Sequence, residues 1–265
     1  MSTVTSRDGT KIEYERLGDG PPLILVDGAL CYRQMGPMPS LAKHLAKHFT
    51  LILYDRRGRG ESGNGVPWSI DREVEDIAAL ITAAGGSACL FGVSSGAVLA
   101  LDAAARGLSI PKLAVYEPPF IVDQSRAPVS DDFIPGLHRL LAEGNRSEVV
   151  RRFMKLVGVP DIFIALMRFF PSWPKLTAVA HTVPYDLTTM QGTQAGRALP
   201  KDRWASVRLP CLVIDGGKSP QWMRNGNKAL HDLLPGSAYR TLPGQTHMVK
   251  SEVLAPALIE FFTRG

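Results

Sequence analysis

Gly92-Val93-Ser94-Ser95-Gly96 is the stretch of this chain best equipped for chemistry. It follows an apolar run, Ala88-Cys89-Leu90-Phe91, and opens an alanine-rich helical stretch, Ala97 to Ala105. Strand, tight glycine-flanked turn and helix is the setting in which a G-x-S-x-G serine is presented as a nucleophile. The turn forces the central serine into a strained conformation with its hydroxyl above the sheet, and its neighbours must be small because strand and helix touch. A serine hydroxyl stays a weak nucleophile until a base removes its proton. Of the six histidines, His247 is the best placed, in the loop Pro243-Gly244-Gln245-Thr246-His247-Met248 between the last strand-like run and the terminal helix. His44 and His48 belong to a surface-like helix, His138 and His181 to the middle of the chain, and His231 to a helix. Taken singly, Ser94 could be an ordinary turn serine and His247 a structural histidine. Their flanking patterns and order favour a nucleophile and its base.

Short apolar runs alternate with helical patterns at both ends of the chain. Pro22–Val26, Phe49–Tyr54, Ala88–Phe91, Leu113–Tyr116, Cys211–Ile214 and Ala238–Leu242 read as strands. Helical patterns run through Leu41–Ala46, Ile70–Ala84, Lys228–Leu230 and Val253–Phe262. Continuous apolar strands separated by helices imply an α/β protein with a mostly parallel sheet, covered on both faces. This rhythm breaks over 121–205, a segment rich in prolines and large apolar residues, among them Phe133, Phe153, Met154, Phe163, Met167, Phe169, Phe170 and Trp173. The expectation is a helical lid inserted into a core of residues 1–120 and 206–265, its aromatics divided between the site and the lid's own core.

The chain has 265 residues, 45% hydrophobic and 21% charged, ordinary values for one globular α/β domain. Its net charge of +5 could suit nucleic acid, but the basic residues are scattered and no basic stripe with interleaved aromatics occurs, so no nucleic-acid partner is expected. No apolar stretch resembles a signal peptide or a membrane span, so no membrane partner is expected. Of the three cysteines, Cys89 and Cys211 lie in strand-like runs and Cys31 in a loop. That pattern offers neither a disulfide framework nor a metal cluster, and a reducing cytoplasm is the expected compartment.

With these motifs in place, the chain resembles the α/β-hydrolase-fold superfamily over nearly its whole length, with the insertion where that fold carries a cap. Val26-Asp27-Gly28-Ala29-Leu30 stands where these proteins usually carry His-Gly before an oxyanion-hole residue. Tyr54-Asp55-Arg56-Arg57-Gly58-Arg59-Gly60-Glu61-Ser62 is similar to the family's D-x-R-G-x-G-x-S loop, and Gly-Gln-Thr-His is a typical ending. The resemblance implies an oxyanion hole built from the backbone N–H groups of Ala29 and Ser95. Ser95 also opens a helix, whose first N–H groups are free to face an anion. Asp27 departs from the usual histidine and reads as a structural hydrogen-bond acceptor in a tight turn.

The acid that orients the histidine is less plain. The family usually places it a few residues after the penultimate strand, where this chain has Asp215-Gly216-Gly217-Lys218-Ser219-Pro220, with Ser219 at the usual position. Certain haloalkane dehalogenases place it at the end of the strand after the elbow, where this chain has Glu117. Neighbouring strands lie about 4.8 Å apart, so a glutamate there can reach a histidine above the nucleophile. Glu117 is the first choice, Asp215 the alternative, and a site without a charged acid stays open. Serine at the elbow argues against dehalogenase and epoxide-hydrolase chemistry. The expected activity is hydrolysis of a small to medium apolar ester, thioester or lactone, with neither cofactor nor metal. An acyltransferase, a cofactor-free perhydrolase and a ligand-binding protein of this fold are the alternatives. The oligomeric state is left open.

Overall fold

The computed structural model describes residues 1–264. An antiparallel pair, β1 (Ser2–Thr5) and β2 (Lys11–Leu17), leads into β3 (Pro22–Val26), α1 (Met38–Leu45), β4 (Thr50–Tyr54), α2 (Ile70–Ala83), β5 (Cys89–Val93), α3 (Ser95–Ala105) and β6 (Leu113–Tyr116). Five helices follow: α4 (Phe133–Ala142), α5 (Arg146–Leu156), α6 (Asp161–Met167), α7 (Ser172–Ala178) and α8 (Val183–Thr189). The chain then returns through β7 (Cys211–Gly216), α9 (Gln221–Leu233), β8 (Ala238–Leu242) and α10 (Ser251–Thr263). The strands form one sheet in the order β1-β2-β4-β3-β5-β6-β7-β8, parallel from β4 to β8.

Alternation along the central strands sorts side chains to the two faces. Ile24, Val26, Leu90, Val115 and Val213 pack toward α2 and α3, while Leu23, Leu25, Phe91, Tyr116 and Ile214 pack toward α1 and α10. Each fully buried aliphatic side chain contributes about 1.5–3 kcal/mol, so the sheet is fixed in register by many such terms. Helix α3 is buried on all sides, which its small residues Ala97, Ala100, Ala103 and Ala104 allow. All six strands expected from the sequence are present, with ends shifted by two residues at most.

The structure adds one element and corrects the expectation for the inserted aromatics. The β1–β2 hairpin was not anticipated, although Ile12 and Tyr14 alternate with Lys11, Glu13 and Glu15 and Ile12 is wholly buried. In the inserted helices, Phe153 and Trp173 are buried, but Phe163, Phe169 and Phe170 face solvent, Phe169 at 88% exposure. These three lie on or just beyond the short helix α6, where only Ile164 is buried. The buried apolar residues of the insertion also form one continuous cluster with the α2–α3 face of the core, so its packing is not a separate small core.

Candidate active site

The loops leaving the C-terminal ends of β3, β5, β6 and β8 carry Ala29, Ser94, Glu117 and His247. This edge of a parallel α/β sheet is where ligands bind. Ser94 sits between β5 and α3 at φ 56°, ψ −126°, a conformation that non-glycine residues hold at a cost of about 1–3 kcal/mol. Its N–H donates to the Tyr116 carbonyl at 2.9 Å, and its hydroxyl is not spent on capping α3. The glycines on either side are required by close approach. A Cβ at Gly92 would lie 2.7 Å from the Ala97 Cα, and one at Gly96 would meet the carbonyl oxygens of Val26 and Asp27.

His247 is placed by its loop and by Glu117. The Tyr116 hydroxyl donates to the Thr246 carbonyl at 2.6 Å, and Lys218 N–H donates to the Gln245 carbonyl at 2.8 Å. Glu117, one residue past β6, is fully buried at φ 45°, which turns its side chain toward the histidine loop. Its Oε2 lies 2.9 Å from His247 Nδ1, and its Oε1 accepts the Gly216 N–H at 2.7 Å. An ionised carboxylate in this position accepts Nδ1–H and leaves Nε2 free to take a proton. Asp215 is turned elsewhere: its Oδ2 accepts the Tyr239 hydroxyl at 2.7 Å and Arg224 Nε at 3.1 Å. Ser219 is buried, with no hydrogen-bond partner for its hydroxyl. The structure therefore brings His247 together with Glu117 and separates it from the alternative acid.

The expected oxyanion residues lie against the serine. A Cβ at Gly28 would be 3.1 Å from Ser94 Cβ, so the Gly28–Ala29 peptide runs beside the nucleophile. Ser95 is buried as the first residue of α3. Asp27 is buried too; its carboxylate faces the Gly28 N–H, in keeping with a structural acceptor, while its Oδ1 lacks a partner. Burial pushes its carboxyl up to about 7, against the pull of Arg59 and Arg56. Burial, with Asp27 next, also raises the Cys31 thiol well above its ordinary value, so Cys31 is no competing nucleophile. Among the described residues, no group of three or more His, Cys, Asp or Glu side chains is placed to hold a metal ion.

Beneath the loop lies a charge cluster not anticipated from the sequence. Arg56 is forked onto Glu73 at 2.7 and 2.8 Å and also donates to Asp186 Oδ1 at 2.7 Å. Arg59 donates to Asp186 Oδ2 at 2.7 Å and to the Gly28 carbonyl at 2.6 Å. The Ser95 hydroxyl donates to Asp186 Oδ1 at 2.8 Å. Burial alone would raise the Asp186 carboxyl, but Arg59 and Arg56 hold it below its usual value. Arg57 pairs separately with Asp76 at 2.6 Å, so the densest basic run of the sequence is wholly internal. No local pattern marked Asp186: the arginines stand in the polar loop Asp55–Ser62, and only their burial in the fold calls for buried acids.

An eight-stranded, mostly parallel sheet, an elbow serine and a strand-end histidine loop match the alpha/beta hydrolase family, whose family model covers residues 22–255, and the chain belongs to that family. It is similar to an alpha/beta hydrolase from Sphaerobacter thermophilus DSM 20745 of known crystal structure, with 51% identity over 99% of this chain and 100% of that one and a TM-score of 0.91. A curated relative, the uncharacterized hydrolase YraK of Bacillus subtilis (strain 168), is 27% identical over 155 residues, 56% of this chain and 55% of YraK. The chain thus matches about half the length of that relative. An esterase from Exiguobacterium antarcticum shares the fold, with a TM-score of 0.75 and 16% identity over 99% of each chain. Among the described residues, no helix is long and apolar enough to cross a membrane.

Proposed function

We propose that this alpha/beta hydrolase cleaves a small to medium apolar carboxylic ester, thioester or lactone through an acyl-enzyme on Ser94. The observation that carries the reading is the 2.9 Å contact of His247 Nδ1 with the buried Glu117, on the same sheet edge as the strained Ser94. In this mechanism Ser94 Oγ attacks the carbonyl carbon while His247 Nε2 takes its proton. The backbone N–H groups of Ala29 and Ser95 hold the oxyanion, each worth about 3–4 kcal/mol to the transition state. His247 then protonates the leaving alcohol, and a water deprotonated by His247 releases the acid. Glu117 keeps the proton on Nδ1 and offsets the imidazolium charge. Residues 121–205 act as a cap over this chemistry, held to the core through Asp186. The small residues beside the serine, Gly28 and Ala29, fit an uncharged acyl group.

Ser219, at the usual acid position, carries no charge to offset an imidazolium, and this would favour the ligand-binding alternative. Glu117 against His247 supplies that charge, which favours turnover over ligand storage. A panel of p-nitrophenyl esters, from acetate to octanoate, tests the proposal with and without added alcohol. Ester cleavage by the wild type, lost in His247→Ala, supports it. An alcohol-dependent transfer product in excess of free acid would replace hydrolysis with acyl transfer.

A further inference from the structure

Asp186 and Arg59 occupy a position that the proposed mechanism does not use. Asp186 comes from α8, in the inserted segment, yet its carboxylate touches the support of both expected oxyanion donors. Its Oδ2 accepts Arg59 Nη2 at 2.7 Å, and its Oδ1 accepts the Ser95 hydroxyl at 2.8 Å. All three side chains are buried.

The link from Arg59 to Ala29 follows from peptide geometry. The Gly28–Ala29 bond is trans, so the Gly28 carbonyl and the Ala29 N–H point in opposite directions from one plane. Arg59 Nη1 donates to that carbonyl at 2.6 Å, and Cys31 N–H closes a turn onto it at 3.3 Å. The turn includes Leu30 at φ 62°, a conformation that a leucine keeps only when its surroundings enforce it. Fixing the carbonyl on one side fixes the Ala29 N–H on the other. Gly28 lies directly against Ser94, so the direction of this peptide decides whether the Ala29 N–H meets an oxyanion formed there. The second donor, the Ser95 N–H, belongs to a residue whose side chain is tied to the same carboxylate.

We infer that Arg59 and Asp186 are positioning residues that set the oxyanion hole, and that the inserted segment thereby forms part of the catalytic scaffold. The inference rests on the reading that Ala29 and Ser95 donate to the oxyanion. A charge-assisted hydrogen bond from a planar guanidinium can serve the Gly28 carbonyl and Asp186 together. A lysine carries the charge but lacks the fork, so Arg59→Lys leaves one of the two partners without its donor. Ser95→Ala removes only the hydroxyl and leaves the ion cluster and the backbone N–H in place.

The test compares wild type, Arg59→Lys and Ser95→Ala on a p-nitrophenyl ester, with a trifluoromethyl ketone analogue as inhibitor. The ketone adds to the serine and places its oxyanion in the hole, so its Ki reports hole geometry without turnover. Active-site titration with a fluorophosphonate corrects every value for the competent fraction, which a merely structural loss would lower without changing Ki. Expected are a fall in kcat of at least thirtyfold for Arg59→Lys and threefold to tenfold for Ser95→Ala, with KM within threefold of wild type. Ki should rise by the same factor as kcat/KM falls. Wild-type kcat and Ki in Arg59→Lys would overturn the inference while leaving the ester hydrolase intact. If Arg59→Lys does not fold, an unchanged Ki in Ser95→Ala overturns it instead. A wild type that neither turns over esters nor takes the label on Ser94 defeats the underlying reading as well.

Discussion

Replacing Glu117 by glutamine changes one atom and tests the role of the buried acid. Both carboxylate oxygens of Glu117 face donors, Gly216 N–H at 2.7 Å and His247 Nδ1 at 2.9 Å. A glutamine offers only one acceptor. Leaving the buried Gly216 N–H unpaired costs about 1–3 kcal/mol, so the amide oxygen stays there and the NH2 group turns to the imidazole. Nδ1 must then accept, which moves the histidine proton to Nε2, where it blocks proton transfer from Ser94. Restoring the productive tautomer brings back that 1–3 kcal/mol. The imidazolium also loses a counter-charge worth about 4 kcal/mol at ~4 Å and an effective dielectric near 20. At about 1.4 kcal/mol per decade the sum is roughly four decades in kcat. The assay is initial-rate hydrolysis of p-nitrophenyl acetate beside a thermal melt, since packing is unchanged and Tm should move little. A folded Glu117→Gln protein within tenfold of wild-type kcat would remove Glu117 as the acid that orients His247.

Asp215→Asn should lower kcat less than tenfold, because Asp215 faces Tyr239 and Arg224; a loss matching that of Glu117→Gln on the same ester would reverse the assignment. Gly28→Ala should fold yet lose at least tenfold in kcat, since the new methyl would lie 3.1 Å from Ser94 Cβ; unchanged kinetics would show that the loop yields freely. Asp27 bears on stability. Its carboxyl is raised from 3.8 to about 7 in the fold, so the folded state holds a proton that the unfolded chain has lost. Wild type should therefore lose stability as pH rises from about 4 to 7, by up to about 4 kcal/mol. Asp27→Asn lacks that term, so its Tm should exceed that of wild type at pH 8 and not at pH 4; equal melting differences at both pH values would contradict the argument.

The parts of this molecule legible in the sequence are those encoded locally. The elbow needs only five consecutive residues, and the strands from Pro22 to Tyr116 announce themselves as apolar runs because both faces are covered. His247 was legible from its place between the last strand and the last helix. The sequence ranked Glu117 ahead of Asp215 but left the choice open, since each stands at or near a strand end. Backbone direction separates the two: Glu117 lies one residue past β6 at φ 45° and meets His247, whereas Asp215 is still within β7 and points to α9 and β8. Asp186 was hidden for a different reason. It joins Arg56 and Ser95 across separations of 130 and 91 residues, and no local pattern specifies such a pairing. The exposed Phe163, Phe169 and Phe170 misled because aromatic content alone does not say which face of a short helix is covered.

The proposed chemistry stands on Ser94 as the nucleophile activated by His247. The most direct measurement is reaction of the purified protein with a fluorophosphonate probe, followed by intact mass and peptide mapping, with Ser94→Ala and His247→Ala in parallel. Expected are one equivalent of label on Ser94 in the wild type, none in Ser94→Ala, and labelling slowed at least a hundredfold in His247→Ala. Label on Ser95 or another residue, or equal labelling of the His247→Ala protein, would contradict it.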